Sequence, residues 1–147
     1  MTDTLRENDV DQLNSFLRGE ISAVETYEQA LEKTDNRLAK DILRENLASH
    51  NERVTALRAE ITRLGGDAAD SSGAWGTFAK AVEGGAKIFG ESAAVSALES
   101  GEEHGLKDYT GDLEDLSPAA RQLVATEFLP KQQQTCAAIK RLKAITD

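Results

Sequence analysis

The sequence predicts an all-α protein, a single four-helix bundle built from two similar helical hairpins. Four stretches place apolar residues at alternating spacings of three and four, the period with which helices pack in bundles. The first two stretches resemble the last two, and a long segment rich in Gly, Ser and Ala separates the pairs. The chain has 147 residues, the length of one ordinary domain.

The first hairpin has one helix predicted over about residues 9–33 and a second over about 37–64, with a short polar break between them. One position in each apolar seam is polar instead, Glu20 in the first helix and His50 in the second. A Gly-Gly pair at 65–66 ends the second helix, because glycine readily adopts the left-handed conformation found at helix C-termini.

A crossover is predicted over residues 67–90, between the two hairpins. Its aromatic residues, Trp75 among them, indicate a short helix near 74–83. A connection of this length suits a bundle in which two hairpins lie side by side.

The second hairpin has helices predicted over about 91–116 and 118–145. Its second helix begins with Ser117 and Pro118, a capping serine followed by proline at the first helical position. Pro130 lies inside that helix and should kink it and remove one backbone hydrogen bond.

The second hairpin looks like a diverged copy of the first. A Gly-Glu pair at 19–20 recurs at 101–102, and a tyrosine follows each glutamate after seven residues, at Tyr27 and Tyr109. We expect the two tyrosine hydroxyls to bond to carboxylates on neighbouring helices. A repeated hairpin joined by a long crossover is the plan of the ferritin-like bundle.

Three polar seam residues, Glu20, His50 and Glu102, form the candidate site. Glu20 and His50 lie fifteen positions before and after Asp35, so a tight turn there brings them to the same level of the bundle. Glu102 is the repeat counterpart of Glu20 and should arrive at a related level. These residues could bind a metal ion, with Glu99 as a fourth ligand, or form a buried hydrogen-bonded cluster that fixes the register.

The di-iron pattern of four-helix bundles asks for more ligands than this chain has. It requires a Glu on each of two helices and Glu-x-x-His on each of the other two. Leu47 stands where the glutamate before His50 would be, and Gln132 and Thr135 replace the second pair. Three of the six ligand positions are filled, so no cofactor is expected, and iron or another divalent metal is the alternative.

Charge and composition exclude several classes of partner. The formal net charge is −9, and so acidic a chain repels the phosphate backbone of nucleic acid. Cys136 is the one cysteine, as is typical of a reducing compartment. The chain has neither a signal-peptide pattern nor an apolar stretch of membrane-spanning length, so we expect a cytoplasmic protein without a membrane partner.

The sequence resembles a family of bacterial ferritin-like proteins of unknown function, distantly related to rubrerythrin. The features that carry the resemblance are Gly19-Glu20, Leu64-Gly65-Gly66-Asp67, the crossover with Trp75, and Glu99-x-Gly101-Glu102 with Tyr109. The resemblance implies an up-down-down-up bundle and a tie to metal or oxidative stress, with no established activity. The family tends to have histidine where this chain has Cys136, and the chain lacks the paired Cys-x-x-Cys elements of a rubredoxin-like domain.

Three functions are compatible with these observations. The first is a non-catalytic bundle that acts by self-association, as a dimer, or by binding a protein partner. The second is a metal-binding, di-iron-like oxidoreductase or stress-protection protein with an incomplete ligand set. The third is a protein that binds a small molecule under the crossover, near Trp75.

Overall fold

The computed structural model describes residues 2–73 and 91–146. The regular secondary structure of this part of the chain is all helical, without a strand, and its helices pack around two buried apolar clusters. None of the described helices has an apolar stretch that could cross a membrane. The short helix predicted near 74–83, and Trp75 with it, lie outside the described residues.

The first hairpin consists of α1, Asp3–Glu32, and α2, Arg37–Arg63. The predicted start of α1 at residue 9 is wrong. The Thr2 hydroxyl accepts a hydrogen bond from the amide three residues on, at 3.2 Å, and this cap starts the helix six residues earlier. Asn36 caps α2 in the same way at 2.9 Å, so α2 begins at the predicted residue.

The Gly-Gly pair ends α2 as predicted. Gly65 has φ +81°, and the Gly66 amide donates to the Ile61 carbonyl at 3.0 Å, which closes the last turn. Gly66 has a second role, since a Cβ added there would lie 2.5 Å from a methyl carbon of Val10. A glycine is therefore needed for the chain to pass this close to α1.

The helix α3 spans Glu91–Gly111 and is followed by a 3-10 turn at Leu113–Asp115. It ends five residues before the predicted boundary at 116. Gly111, its last residue, is a poor helix former, and the tighter turn that follows carries the chain into the next helix.

The predicted fourth helix consists of three segments: α4, Pro118–Leu123, a π-helical turn, Val124–Phe128, and α5, Leu129–Thr146. Pro130 accounts for the π-helical turn. Proline has no amide hydrogen and its ring crowds the carbonyl four residues before it, so the helix widens by one residue just ahead of it. The predicted disturbance at Pro130 thus takes the form of a π-helical turn.

The start of α4 is fixed by Ser117, as predicted, and by a residue of α1. The Ser117 hydroxyl accepts a hydrogen bond from the Ala120 amide at 3.3 Å. The buried Asp9 carboxylate accepts from the Ser117 amide at 2.9 Å and from its hydroxyl at 2.5 Å. The first and last helices are thereby joined at one end of the bundle.

Neighbouring helices in the bundle are antiparallel. The residues that pair between α1 and α3 run in opposite order along the two helices. Glu20 is bonded to Tyr109, whereas the later Tyr27 is bonded to the earlier Glu102. The same holds for α2 and α5, which also pack together. The two apolar clusters occupy opposite ends of the bundle, and a layer of buried polar side chains separates them.

Candidate functional site

The structure brings three of the four predicted site residues together in this polar layer. The Nδ1 of His50 lies 2.6 Å from Glu20 Oε2, and its Nε2 lies 2.6 Å from Glu102 Oε1. Their exposed fractions are only 4%, 2% and 3% for Glu20, His50 and Glu102. The prediction that Glu20 and His50 share one level of the bundle is confirmed.

The two carboxylates favour a doubly protonated His50. Ionised carboxylates only accept hydrogen bonds, so both ring nitrogens must donate. Burial alone would lower the pKa of His50, but the charges of Glu20 and Glu102 outweigh it and raise the pKa. Burial likewise favours raised pKa values for the two carboxyls, and the opposing charge of His50 lowers both.

Arg53 is a central member of the site that the sequence analysis missed. It is completely buried, and its Nη1 donates to Glu20 Oε1 at 3.2 Å. Its Nη2 donates to the hydroxyls of Ser49 at 3.1 Å and Thr135 at 3.0 Å. The position follows from the heptad-like series 43, 46, 50, 53, 57, which alternates three and four but carries polar residues at its centre.

Two residues of α5 complete the contacts of Glu102 and Arg53. The Gln132 amide donates to Glu102 Oε2 at 2.9 Å, and its carbonyl oxygen accepts a short hydrogen bond from Arg53 Nη1. The Thr135 hydroxyl donates to Glu102 Oε2 at 2.8 Å while it accepts from Arg53. The pair that replaces Glu-x-x-His on the fourth helix therefore does reach the site.

The two tyrosines bond reciprocally to the two glutamates. The Tyr27 hydroxyl donates to Glu102 Oε1 at 2.7 Å, and the Tyr109 hydroxyl donates to Glu20 Oε1 at 2.8 Å. Burial and the neighbouring carboxylate raise the pKa of each tyrosine well above its usual value. Asn46 donates to the Tyr27 hydroxyl at 2.9 Å, so this oxygen both donates and accepts. The expectation that the hydroxyls bond to opposing carboxylates is confirmed.

We call these nine buried side chains the core network. Its members are Glu20, Tyr27, Asn46, His50, Arg53, Glu102, Tyr109, Gln132 and Thr135. Two carboxylates face two cations, the imidazolium of His50 and the guanidinium of Arg53, so the charges balance within the core. A buried charge is tolerated when it is paired and hydrogen-bonded, and the network meets that condition internally.

A comparison with protein families shows which family the chain belongs to. A family model described as a domain of unknown function, DUF2383, matches residues 8–115. The chain belongs to the DUF2383 family. The matched part covers α1 from residue 8 onward, α2 and α3, and with them both carboxylates and both cations of the core network. Gln132 and Thr135 lie beyond it. Comparisons with curated proteins and with solved structures gave no match.

Glu99, the fourth predicted ligand, does not join the core network of this DUF2383 chain. It lies one helical turn before Glu102, and its carboxylate accepts a hydrogen bond from Lys143 at 3.1 Å. Cys136 lies on α5 and is buried. Burial, reinforced by the charge of Glu102, raises the pKa of its thiol, so the group stays protonated near neutral pH.

The hydrogen bonds of the core network use the atoms that would otherwise bind a metal ion. A histidine ligand must turn an unprotonated nitrogen towards the metal, and both nitrogens of His50 lie 2.6 Å from carboxylate oxygens. The guanidinium of Arg53 contacts the oxygens that would otherwise serve as ligands. Within residues 2–73 and 91–146, no group of three or more His, Cys, Asp or Glu residues is placed to hold a metal ion.

A small cavity lies between α1 and α3, beside the core network. It exists because small residues face one another across the two helices, among them Gly19, Ala23, Gly101 and Gly105. Its volume is about 40 Å³, room for a few water molecules. The predicted binding site near Trp75 lies outside the described residues.

Proposed function

We propose that this DUF2383 chain is a non-catalytic, ferritin-like bundle that acts by self-association or by binding a protein partner. The closed core network carries the proposal. Each oxygen of Glu20 and Glu102 accepts at least one hydrogen bond from a protein group. Both nitrogens of His50 and all three of Arg53 donate to protein atoms.

Catalysis would require a group that is free to meet a substrate. A general acid or base must come within hydrogen-bond reach of the proton that it transfers. A catalytic metal site must keep one coordination position open. In the core network the ionisable groups are buried and already paired with one another, so we place the function on the surface of the bundle.

The ferritin-like part of the proposal is supported by the order of the helices. The antiparallel pairs of α1 with α3 and α2 with α5, added to two hairpins, correspond to an up-down-down-up bundle. The reciprocal Tyr27–Glu102 and Tyr109–Glu20 hydrogen bonds relate the hairpins as a repeat would. The up-down-down-up order is what the resemblance to the rubrerythrin-related family implies.

Metal analysis tests this proposal against a metal-binding oxidoreductase. Protein purified without chelators, and then incubated anaerobically with Fe(II), should hold less than about 0.1 metal ion per chain, far below the one or two ions of an occupied bundle site. About one iron, manganese or zinc per chain would contradict the proposal. That metal should disappear in His50→Ala and persist in His104→Ala, because His104 is exposed on α3.

Light scattering tests the self-association. We expect a homodimer, since most soluble oligomers are symmetric and dimers are the commonest of them. If the protein is monomeric at every concentration measured, self-association is excluded, and binding of a different protein is the remaining form of the proposal. The result of the metal analysis does not depend on this outcome.

A further inference from the structure

We infer that Arg53, together with His50, is the built-in cation of this bundle: it occupies the centre where the di-metal pattern would place its ions and thereby excludes divalent metal. This inference rests on the proposed non-catalytic function and explains how the core dispenses with a cofactor. It assigns to one arginine a role that neither the repeat nor the family match indicates.

The position of the guanidinium is the first argument. Arg53 donates to Glu20, Gln132 and Thr135, and its Nη2 lies 3.5 Å from His50 Nε2. These four residues come from α1, α2 and α5 and stand at four of the six ligand positions of the di-iron pattern. Three of the four residues present an oxygen, and the arginine binds that oxygen in each.

The second argument is charge. Two buried carboxylates need two positive charges, and leaving one uncompensated is costly. Arginine remains protonated at any pH that a protein meets, and its planar fork suits carboxylate and amide oxygens. It can thus replace a cation permanently, without depending on metal supply.

The third argument is that α2 itself holds the guanidinium in place. Nε of Arg53 donates to the Ser49 carbonyl at 3.4 Å, and Nη2 donates to the Ser49 hydroxyl at 3.1 Å. Ser49 is one turn before Arg53 on the same helix. The side chain is therefore anchored before it reaches across to α1 and α5, which reduces the entropy lost on forming the network.

The test compares Arg53→Met in the full chain with Arg58→Met, a matched change of an exposed arginine on the same helix. Arg53→Met should lower Tm by about 10 °C or more, the consequence of breaking a buried ion pair in a domain of this size. Manganese(II) or zinc(II) should then raise the Tm of Arg53→Met. Neither ion should raise the Tm of Arg58→Met or of the parent.

A charge-compensated variant separates the charge of Arg53 from its packing. Arg53→Met combined with Glu20→Gln removes one charge of each sign, so this double variant should melt above Arg53→Met alone. Arg53→Lys keeps the charge without the fork and should also melt above Arg53→Met. These comparisons hold even when Arg53→Met is too unstable to purify, because recovery of folded protein is then the readout.

The outcomes separate the inference from the proposed function. The inference is overturned if metal does not raise the Tm of Arg53→Met, or if neither the double variant nor Arg53→Lys melts above Arg53→Met. Either result leaves the proposed function intact. A parent protein that binds metal contradicts the proposed function itself.

Discussion

Glu102→Gln should destabilise the bundle strongly, although the side chain keeps its shape. The Glu102 carboxylate accepts four hydrogen bonds, two at each oxygen, from Tyr27, His50, Gln132 and Thr135. Glutamine replaces one acceptor oxygen by an amide group that only donates. The new amide group then lies where the carboxylate accepted two hydrogen bonds.

Two effects set the expected magnitude. Loss of one carboxylate leaves the cations His50 and Arg53 with Glu20 as the single counter-charge, and breaking a buried pair costs about 3–5 kcal/mol. A donor left without an acceptor adds about 1–3 kcal/mol. His50 can release its proton and relieve part of the excess charge, so we expect a net loss of about 3–5 kcal/mol in the free energy of unfolding.

Urea unfolding followed by circular dichroism measures this loss. Glu103→Gln is the matched control, because its carboxylate is half exposed and forms a surface ion pair with Lys140 at 3.2 Å. Such surface pairs contribute about 0–1 kcal/mol. If Glu102→Gln unfolds at the same urea concentration as Glu103→Gln, the buried charges do not hold the bundle together and the account of the core network is refuted.

Three further predictions concern the network and the backbone. The unfolded-state pKa values are 4.5 for the glutamates and 6.5 for His50, and folding lowers the former and raises the latter. The stability that the ionised glutamates contribute is therefore lost as pH falls through their folded-state pKa values. The stability that protonated His50 contributes is lost as pH rises through its folded-state pKa. Tm measured against pH should peak between the folded-state pKa values of the glutamates and that of His50. Tyr27→Phe and Tyr109→Phe should each lower the free energy of unfolding, measured with urea, by about 1–2 kcal/mol. If the losses in the two variants differ by more than this, the two tyrosines do not have equivalent roles. Gly66→Ala should cost about 1–3 kcal/mol from overpacking, whereas Gly111→Ala, with open space at its Cβ, should be neutral or stabilising.

The levels at which polar residues meet could be predicted from counting alone. Helical rise and a tight turn place Glu20 opposite His50, and the repeat places Glu102 beside them. Ser117 and the Gly-Gly pair could be predicted because caps depend on local chemistry. These features are set by residues close in sequence or by simple helical geometry.

Arg53 could not be found by following apolar residues. A seam traced through leucine, isoleucine and valine in α2 passes from Leu47 through the polar His50 to Val54 and leaves out Arg53. A second three-four series on α2 shares His50 with that seam and runs through Asn46 and Arg53, which also face the centre. An arginine is normally taken as solvent-exposed, and only its partners on other helices show that it is buried.

The helix ends that differed from prediction depend on single side-chain contacts. The start of α1 is set by the Thr2 cap, in a stretch whose polar composition indicated no helix. The π-helical turn before Pro130 is one of several ways in which a helix can accommodate proline, and a kink was the one expected. Sequence indicates that a disturbance must occur there, while packing against the rest of the bundle selects its form.

The two hairpins contribute to the core network alike in some residues and differently in others. Each of α1 and α3 supplies one carboxylate and one tyrosine, and each tyrosine donates to the carboxylate of the other helix, Tyr109 to Glu20 and Tyr27 to Glu102. The cations are not distributed symmetrically, because α2 supplies both, whereas α5 supplies the neutral Gln132 and Thr135. A symmetric repeat of His50 and Arg53 would bury four positive charges against two negative ones, at a prohibitive cost in desolvation. With two carboxylates retained, neutrality therefore requires that one hairpin give up its charged pair.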